Sequence, residues 1–493
     1  MSVSLKVIKS ALLLLSTQLI QRGLGIVSTL ILARLLTPDD FGVIALITIL
    51  LQLFELLVET GNQQYIVQKD AVDDLDLNTA WSMDILIKTS LAVIVVLLSP
   101  AFAAFFEEPD LALAVSVAAL ALPIRALRNP GLMRLARDLN YRPLFRLTVW
   151  QKLLSFCAVI GFALFQASYW AIVLGNLVSA TVLAAGSYLL HRHRPAFTLA
   201  RLREQWGFSQ WLLLRGLVGF TRSQVDNLLV SRFFGTQALG GYNLVREVSL
   251  LPALSILIPM SEPLLAATAQ VKHRQAQLAY RVRLSSALMI TLLVPITVFL
   301  MLFPTLTVEV LLGPQWRDYA DLLRPFGLFF FTFSFFALLS DVVIALGKVR
   351  ALLLFDLVST AVILSLLLVL ATGSLPQMAW ARGWLAVATT WVLLMMIRRW
   401  TGFGLARLAY LSLPAMLGGA GAGTLTWSLA LPWAPPLLEF LIRGSLFVGL
   451  YAVLLLVGAR LLLAGQEEWW QLRSVVRQSL GRGPASREPP SAS

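Results

Sequence analysis

Leu32-Ala33-Arg34-Leu35-Leu36-Thr37-Pro38-Asp39-Asp40-Phe41-Gly42 is the stretch on which the fold turns. It is a short polar turn between two long apolar runs, Ala11 to Leu36 and Phe41 to Val67. Each run exceeds the roughly 20 residues that a helix needs to cross about 30 Å of hydrocarbon, so the turn joins two membrane spans of opposite direction. The arrangement returns with Arg232 standing 198 residues after Arg34. Leu32-Ala33-Arg34-Leu35-Leu36 then falls on Val230-Ser231-Arg232-Phe233-Phe234, and Phe41-Gly42 falls on Leu239-Gly240. Six spans separate the copies, and an even number preserves direction. The spacing therefore predicts parallel repeats about an axis normal to the membrane.

Composition supports the same reading over the rest of the chain. With 58% hydrophobic and 13% charged residues in 493, and a mean hydropathy of +0.79, there is too little polar surface to coat a soluble globule. Apolar segments recur about fourteen times. The expected fold is an all-α polytopic membrane protein of about 14 transmembrane helices, as two parallel six-helix lobes plus two C-terminal helices. The lobes fall at residues 1–190 and 208–397, joined by a basic linker over 191–207; helices 13 and 14 occupy 398–463. The tail, 464–493, reads as an interfacial helix around Trp469 and Trp470 followed by a disordered end.

Charge gives orientation. With the amino terminus cytoplasmic, 27 of the 39 Lys and Arg residues fall in cytoplasmic segments, and only Arg34, Arg232, Arg317 and Arg324 fall outside. This is the positive-inside bias of short loops, and it places both termini in the cytoplasm. The net charge of +13 is then accounted for by anionic membrane lipids, with no nucleic acid as partner. A single cysteine, Cys157, excludes an internal disulfide and any Cys-based metal cluster. His191-Arg192-His193-Arg194 reads as a cationic helix end, not a metal tract. No Gly-x4-Gly-Lys-Ser/Thr motif is present, and neither a catalytic residue nor a cofactor is expected.

Eight bases lie inside the spans: Arg22, Lys88, Lys152, Arg215, Arg222, Arg246, Arg382 and Arg443. Each costs roughly 2.5–3.5 kcal/mol at the bilayer centre and calls for a partner, a wet cavity or the interface. Asp84 with Lys88 and Glu439 with Arg443 stand at i, i+4 and read as structural pairs. Arg382 is expected to snorkel toward the outer interface beside Trp380 and Trp384. The remaining stripes, with Arg22 on span one, Arg215, Arg222 and Asp226 on span seven, and Arg246 on span eight, suit an aqueous cationic cavity. Gln52, Glu55 and Glu59 give span two an acidic stripe. Arg22, Arg215, Arg222 and Arg246 are the candidate anion contacts, and Glu55, Glu59 and Asp226 the candidate cavity-field or ion-coupling residues. The structural alternative is interhelical salt bridging, such as Arg22 with Glu55 or Arg222 with Asp226.

The segment Ala33 to Gly42 resembles the polysaccharide-repeat exporters, or oligosaccharide flippases, of the multidrug/oligosaccharidyl-lipid/polysaccharide superfamily. So do Val225-Asp226-Asn227-Leu228-Leu229-Val230-Ser231-Arg232 with Gly235, Leu239-Gly240 and Tyr242, the turn Phe106-Glu107-Glu108-Pro109-Asp110-Leu111, and Ala345-Leu346-Gly347-Lys348. The resemblance implies a bacterial inner-membrane protein that moves undecaprenyl-pyrophosphate-linked oligosaccharides outward for exopolysaccharide, capsule or O-antigen assembly. A polysaccharide polymerase and a chain-length regulator are then possible partners. The alternatives are a cation-coupled multidrug exporter of the same superfamily and a non-transporting scaffold of a polysaccharide assembly complex.

Overall fold

The computed structural model describes residues 3–58, 62, 66, 69, 72–138, 140–257, 274–370, 372–429, 435–464 and 466, with the backbone alone over 3–12, 204, 206–216, 218 and 256. The expected tail helix lies outside the described residues. Every regular element described is helical. In chain order these are α1 (Val3–Leu35), α2 (Pro38–Leu57), α3 (Asp74–Phe106), α4 (Leu111–Ala119), α5 (Ala121–Ala126), α6 (Gly131–Arg137), α7 (Tyr141–Phe165) and α8 (Trp170–Leu190). There follow α9 (Leu202–Pro252), α10 (Gln275–Leu302), α11 (Pro304–Leu311), α12 (Leu323–Ala345), α13 (Val349–Leu370), α14 (Leu375–Thr401), α15 (Leu405–Trp427) and α16 (Pro436–Leu462), with a π-helical turn, Ala253–Leu257, after α9 and a 3-10 helix, Pro314–Leu322, before α12.

Ten helices among the described residues are long and apolar enough to span a membrane, or eleven if the bent pair Leu111–Ala126 and Gly131–Arg137 is one span. That pair covers the apolar segment that reads from the sequence as the fourth span, Leu111 to Leu127, which is not straight. It breaks at Leu120 and turns by 65° before Gly131. The segment Arg128-Asn129-Pro130 at the bend carries a proline that cannot continue the helix. Large apolar side chains such as Leu97, Phe165, Val369 and Leu461 are exposed on these helices. In water such a surface would aggregate, whereas acyl chains satisfy it at no cost.

The chain divides into two compact units, one of Met1–Leu244 with Thr360–Leu375, the other of Val245–Ser359 with Pro376–Ser493. In the first, the turn from Thr37 to Gly42 starts α2 with a capping box. Thr37 Oγ1 accepts from the Asp40 N–H (3.2 Å), and Asp40 Oδ2 accepts from the Thr37 N–H (3.1 Å), with Pro38 at the first helical position. The other oxygen of Asp40 accepts from the Tyr169 N–H ahead of α8 (3.1 Å), so a local cap also fixes a distant loop. The second copy of the turn lies within α9. Gly235 there takes φ 85° and ψ 174°, a conformation nearly closed to other residues, and interrupts the helix between Phe234 and Leu239 as the spacing predicts.

The two copies interlock. A methyl group placed on Gly42 would overlap the backbone oxygen of Thr236, and one placed on Gly240 would overlap the backbone oxygen of Pro38 and come within 2.8 Å of the Gly42 nitrogen. Pro38 and Thr236 stand at equivalent places in the repeat, as do Gly42 and Gly240, so the two contacts are each other's counterparts. Next to them Arg232 binds Glu107 (2.9 Å) and Thr236 Oγ1 donates to Glu108 (2.8 Å), which gives the acidic turn after α3 a cationic and a hydroxyl partner.

The linker expected over 191–207 has no regular structure from His191 to Leu199, and α9 begins at Leu202. It lies along the first turns of α3. Asn78 Oδ1 accepts from the Ala196 N–H and contacts His193 Nε2 (3.2 and 2.9 Å), while Ser82 Oγ accepts from the Thr198 N–H (2.9 Å). Asn129 Nδ2 donates to the carbonyls of His191 and His193. Burial lowers the affinity of both imidazoles for protons.

In the second unit the core is aromatic, with Trp316, Phe326, Phe330 and Phe447 almost wholly buried. The glycine stripe of α15 faces α10: a Cβ on Gly419 would meet Val294 at 2.6 Å and one on Gly423 would meet Leu302 at 2.7 Å, the close contact expected of small residues inside a membrane. The pair Glu439–Arg443 forms (2.7 Å), and the guanidinium also donates to the carbonyls of Thr426 and Leu429 (2.7 and 2.9 Å). Arg443 thus satisfies the open carbonyl end of α15 while lying over the Phe303 ring. Arg443→Met is expected to destabilise the protein by about 3–5 kcal/mol, because it strands Glu439 as well as the carbonyls. Thermal unfolding of the purified protein should show a large drop for this variant and a smaller one for the double variant with Glu439→Gln.

Candidate functional site

Polar side chains on the spanning helices concentrate on a few faces. On α1, Arg22 is half-buried, about 20 Å of helix from Leu35, and makes no ion pair with any described residue. On α2, Glu55 is paired with Arg125 of α5, and Gln52 is exposed one turn earlier. On α9, Asp226 is fully buried and accepts from the Tyr242 hydroxyl across the Gly235 break (3.2 Å), and Arg222 is half-buried one turn away. All of these belong to the first unit. The side chains of Glu59 and Arg215 lie outside the described residues.

One structural alternative and one expectation need correction. Of the interhelical pairs that the sequence offers, Arg22 with Glu55 does not form among the described residues, and Glu55 is paired with Arg125. From the sequence Arg125 reads as a cytoplasmic loop charge, because it stands at the end of an apolar run. The break at Leu120 instead starts a new helix that carries Arg125 toward α2. The second correction concerns Arg382, which does not snorkel. It is only 5% exposed, and its guanidinium carbon lies 4.6 Å from the centre of the Phe329 ring. Arg246, half-buried on the same unit, reaches the same ring at 5.9 Å. Phe329 therefore stands within cation–π range of two intramembrane arginines, a contact that partly replaces the hydration they lose. Sequence spacing could not reveal this pairing, since the three residues come from three different helices.

Asp84 and Lys88 pair at 2.8 Å as their spacing predicts, and Asn62 Nδ2 donates to the other carboxylate oxygen of Asp84 (2.9 Å). That carboxylate is consumed by structural bonds. Arg22, Arg222 and Arg246 are half-buried cations on apolar helices, whose guanidinium N–H groups can donate to phosphate oxygens in a forked geometry.

The sequence profile of one family, described as polysaccharide biosynthesis protein, matches residues 31–321, more than half of the chain. The chain belongs to the polysaccharide biosynthesis protein family. Among curated relatives, lipopolysaccharide biosynthesis protein WzxC of Escherichia coli (strain K12) is 23% identical over 308 residues, covering 61% of this chain and 62% of that one. Succinoglycan biosynthesis transport protein ExoT of Rhizobium meliloti (strain 1021) is 24% identical over 299 residues, 60% of each. The chain thus spans about three fifths of the length of these relatives. The fold of this family member is similar to that of a lipid II flippase, MurJ, solved in an inward closed conformation, with a TM-score of 0.73 at 14% identity over 95% of this chain and 100% of that one. A multidrug resistance MATE family transporter of the MOP superfamily, inward-facing, gives 0.56 at 15% identity over 80% of this chain and 96% of that one. The chain is a multi-pass membrane protein whose relatives serve polysaccharide biosynthesis and transport.

Proposed function

We propose that this chain is a flippase that carries undecaprenyl-pyrophosphate-linked oligosaccharide repeat units across the bacterial inner membrane for exopolysaccharide, capsule or O-antigen assembly. In this reading about fourteen helices form two six-helix lobes with two further helices, both termini are cytoplasmic, and the lobes alternate access to a cationic cavity. A pyrophosphate and a polar glycan cannot cross bare hydrocarbon at a useful rate, because each charge and hydroxyl would lose its hydration without replacement. Fixed guanidinium groups in a wet path supply the replacement, while the polyprenyl tail stays in lipid throughout. Arg22, Arg215, Arg222 and Arg246 take the anionic head, and Glu55, Glu59 and Asp226 shape the field around it or couple it to an ion. A polymerase and a chain-length regulator would receive the delivered repeats.

The observation that carries this reading is the half-buried Arg22 on an apolar helix, unpaired among the described residues, in a family that builds polysaccharides. The test is leaflet-specific labelling of the lipid-linked sugar in vesicles with and without the protein. Outer-leaflet sugar should rise only with the protein present. A scaffold would leave the distribution unchanged, and a drug exporter would move a lipophilic cation in its place.

A further inference from the structure

Four amide side chains of the first unit form a continuous hydrogen-bonded ladder. Gln224 Nε2 donates to Gln52 Oε1 (2.9 Å), and Asn227 Nδ2 donates both to Gln224 Oε1 (2.8 Å) and to Asn243 Oδ1 (3.1 Å). The ladder crosses from α2 to both halves of α9. Asn227 at its centre is buried, Gln224 and Asn243 are half-buried, and Gln52 is exposed.

Its two ends are chemically alike. The Gln52 Nε2 and Asn243 Nδ2 groups donate to no described residue, so each end presents an amide N–H pair beside a carbonyl oxygen already in use. A ladder that served only to hold helices together would close on backbone or side-chain acceptors. This one ends in donors instead. Gln52 sits between Leu51 and Leu53, one turn before Glu55 on α2, and an exposed amide there is costly against acyl chains but stable against water or a polar cargo. Measured from the contact of Gly42 with Gly240, Asn243 lies about 5 Å along its helix and Gln52 about 15 Å along α2. The ends stand on different helices, and their partners Gln224 and Asn227 are one turn of α9 apart.

We infer that this ladder is a glycan-binding surface, on which Gln52 and Asn243 hold hydroxyl and acetamido groups of a passing saccharide. Amides suit this ligand because each can donate and accept at once, as sugar hydroxyls do, and because they stay neutral and leave the charge to the arginines. The buried Asn227 keeps the two outer amides at a fixed orientation, which gives recognition at little cost in ordering. The inference rests on the flippase reading and adds to it where the sugar is read, separately from the pyrophosphate.

The test uses the whole protein in proteoliposomes with two probes, undecaprenyl pyrophosphate bearing one glucose and the same lipid bearing a linear tetraglucose. Delivery is read by periodate oxidation of sugars exposed on the far side. The double variant Gln52→Leu with Asn243→Leu is expected to slow the tetraglucose lipid about tenfold and the single-glucose lipid less than about twofold, from the loss of two neutral hydrogen bonds made only by the longer glycan. Gln52→Asn should restore part of the difference, and the drop in thermal stability of the double variant, from the stranded Gln224 and Asn227 amides, is the same for both lipids and so leaves their ratio as the readout. Equal slowing of both lipids, no slowing of either, or an unsubstituted protein that moves only the single-glucose lipid would overturn the ladder. An unsubstituted protein that moves neither lipid would overturn the flippase reading and the ladder with it.

Discussion

Gly42→Ala and Gly240→Ala are each expected to leave little folded protein. The added methyl group would overlap a backbone oxygen, of Thr236 in one case and Pro38 in the other, and neither oxygen can turn aside as a flexible side chain could. Overpacking ordinarily costs about 1–3 kcal/mol; here the displaced groups also carry the capping box of α2 and the Gly235 break, so the cost should reach or exceed the upper end. Gly219→Ala is the matched control, because a Cβ there meets nothing within 4 Å. It should be neutral or slightly stabilising, by up to about 1 kcal/mol from helix propensity. Thermal unfolding of the three variants beside the unsubstituted protein checks this. A Gly42→Ala variant that unfolds at the unsubstituted temperature would mean that the two turns do not interlock.

That interlock shows how much of the fold the chain spells out locally. The turn at Thr37 to Gly42 contains its own cap, its own helix starter and the small residue that lets the second copy approach, all within six positions. The break at Gly235 is legible for the same reason, since a glycine follows an apolar run and precedes another. Pairs at helical spacing, Asp84 with Lys88 and Glu439 with Arg443, were equally open to reading. Partners brought together only by packing were not. Glu55 and Arg125 stand 70 residues apart, and Arg125 reaches α2 only because the chain breaks at Leu120, a change of direction that an uninterrupted apolar run conceals. Arg382 shares Phe329 with Arg246 through the packing of three helices, and hydropathy carries no trace of it. The amide ladder was hidden for a similar reason, because Gln and Asn are neutral and do not stand out against charge when spans are scanned for polar residues.

The other large effect expected is on transport. Arg22→Ala, Arg222→Ala and Arg246→Ala each remove a charge-assisted contact worth about 1.5–3 kcal/mol, so delivery of the pyrophosphate-linked sugar should fall about 10- to 100-fold. Arg246→Ala also frees one side of the Phe329 contact, and part of its effect should appear in stability. Arg22 has no described ion pair to lose, so its removal should relieve an intramembrane charge and leave unfolding unchanged or slightly improved. Stability and transport would then move in opposite directions, which a structural role for Arg22 cannot produce.

The rate at which Arg22→Ala delivers undecaprenyl-pyrophosphate sugar to the outer leaflet, at matched protein levels, tests most directly whether guanidinium groups within the membrane host the anionic head. A rate at least tenfold below that of the unsubstituted protein, partly restored by Arg22→Lys and accompanied by undiminished thermal stability, is the outcome this mechanism requires. Delivery at the unsubstituted rate would contradict it.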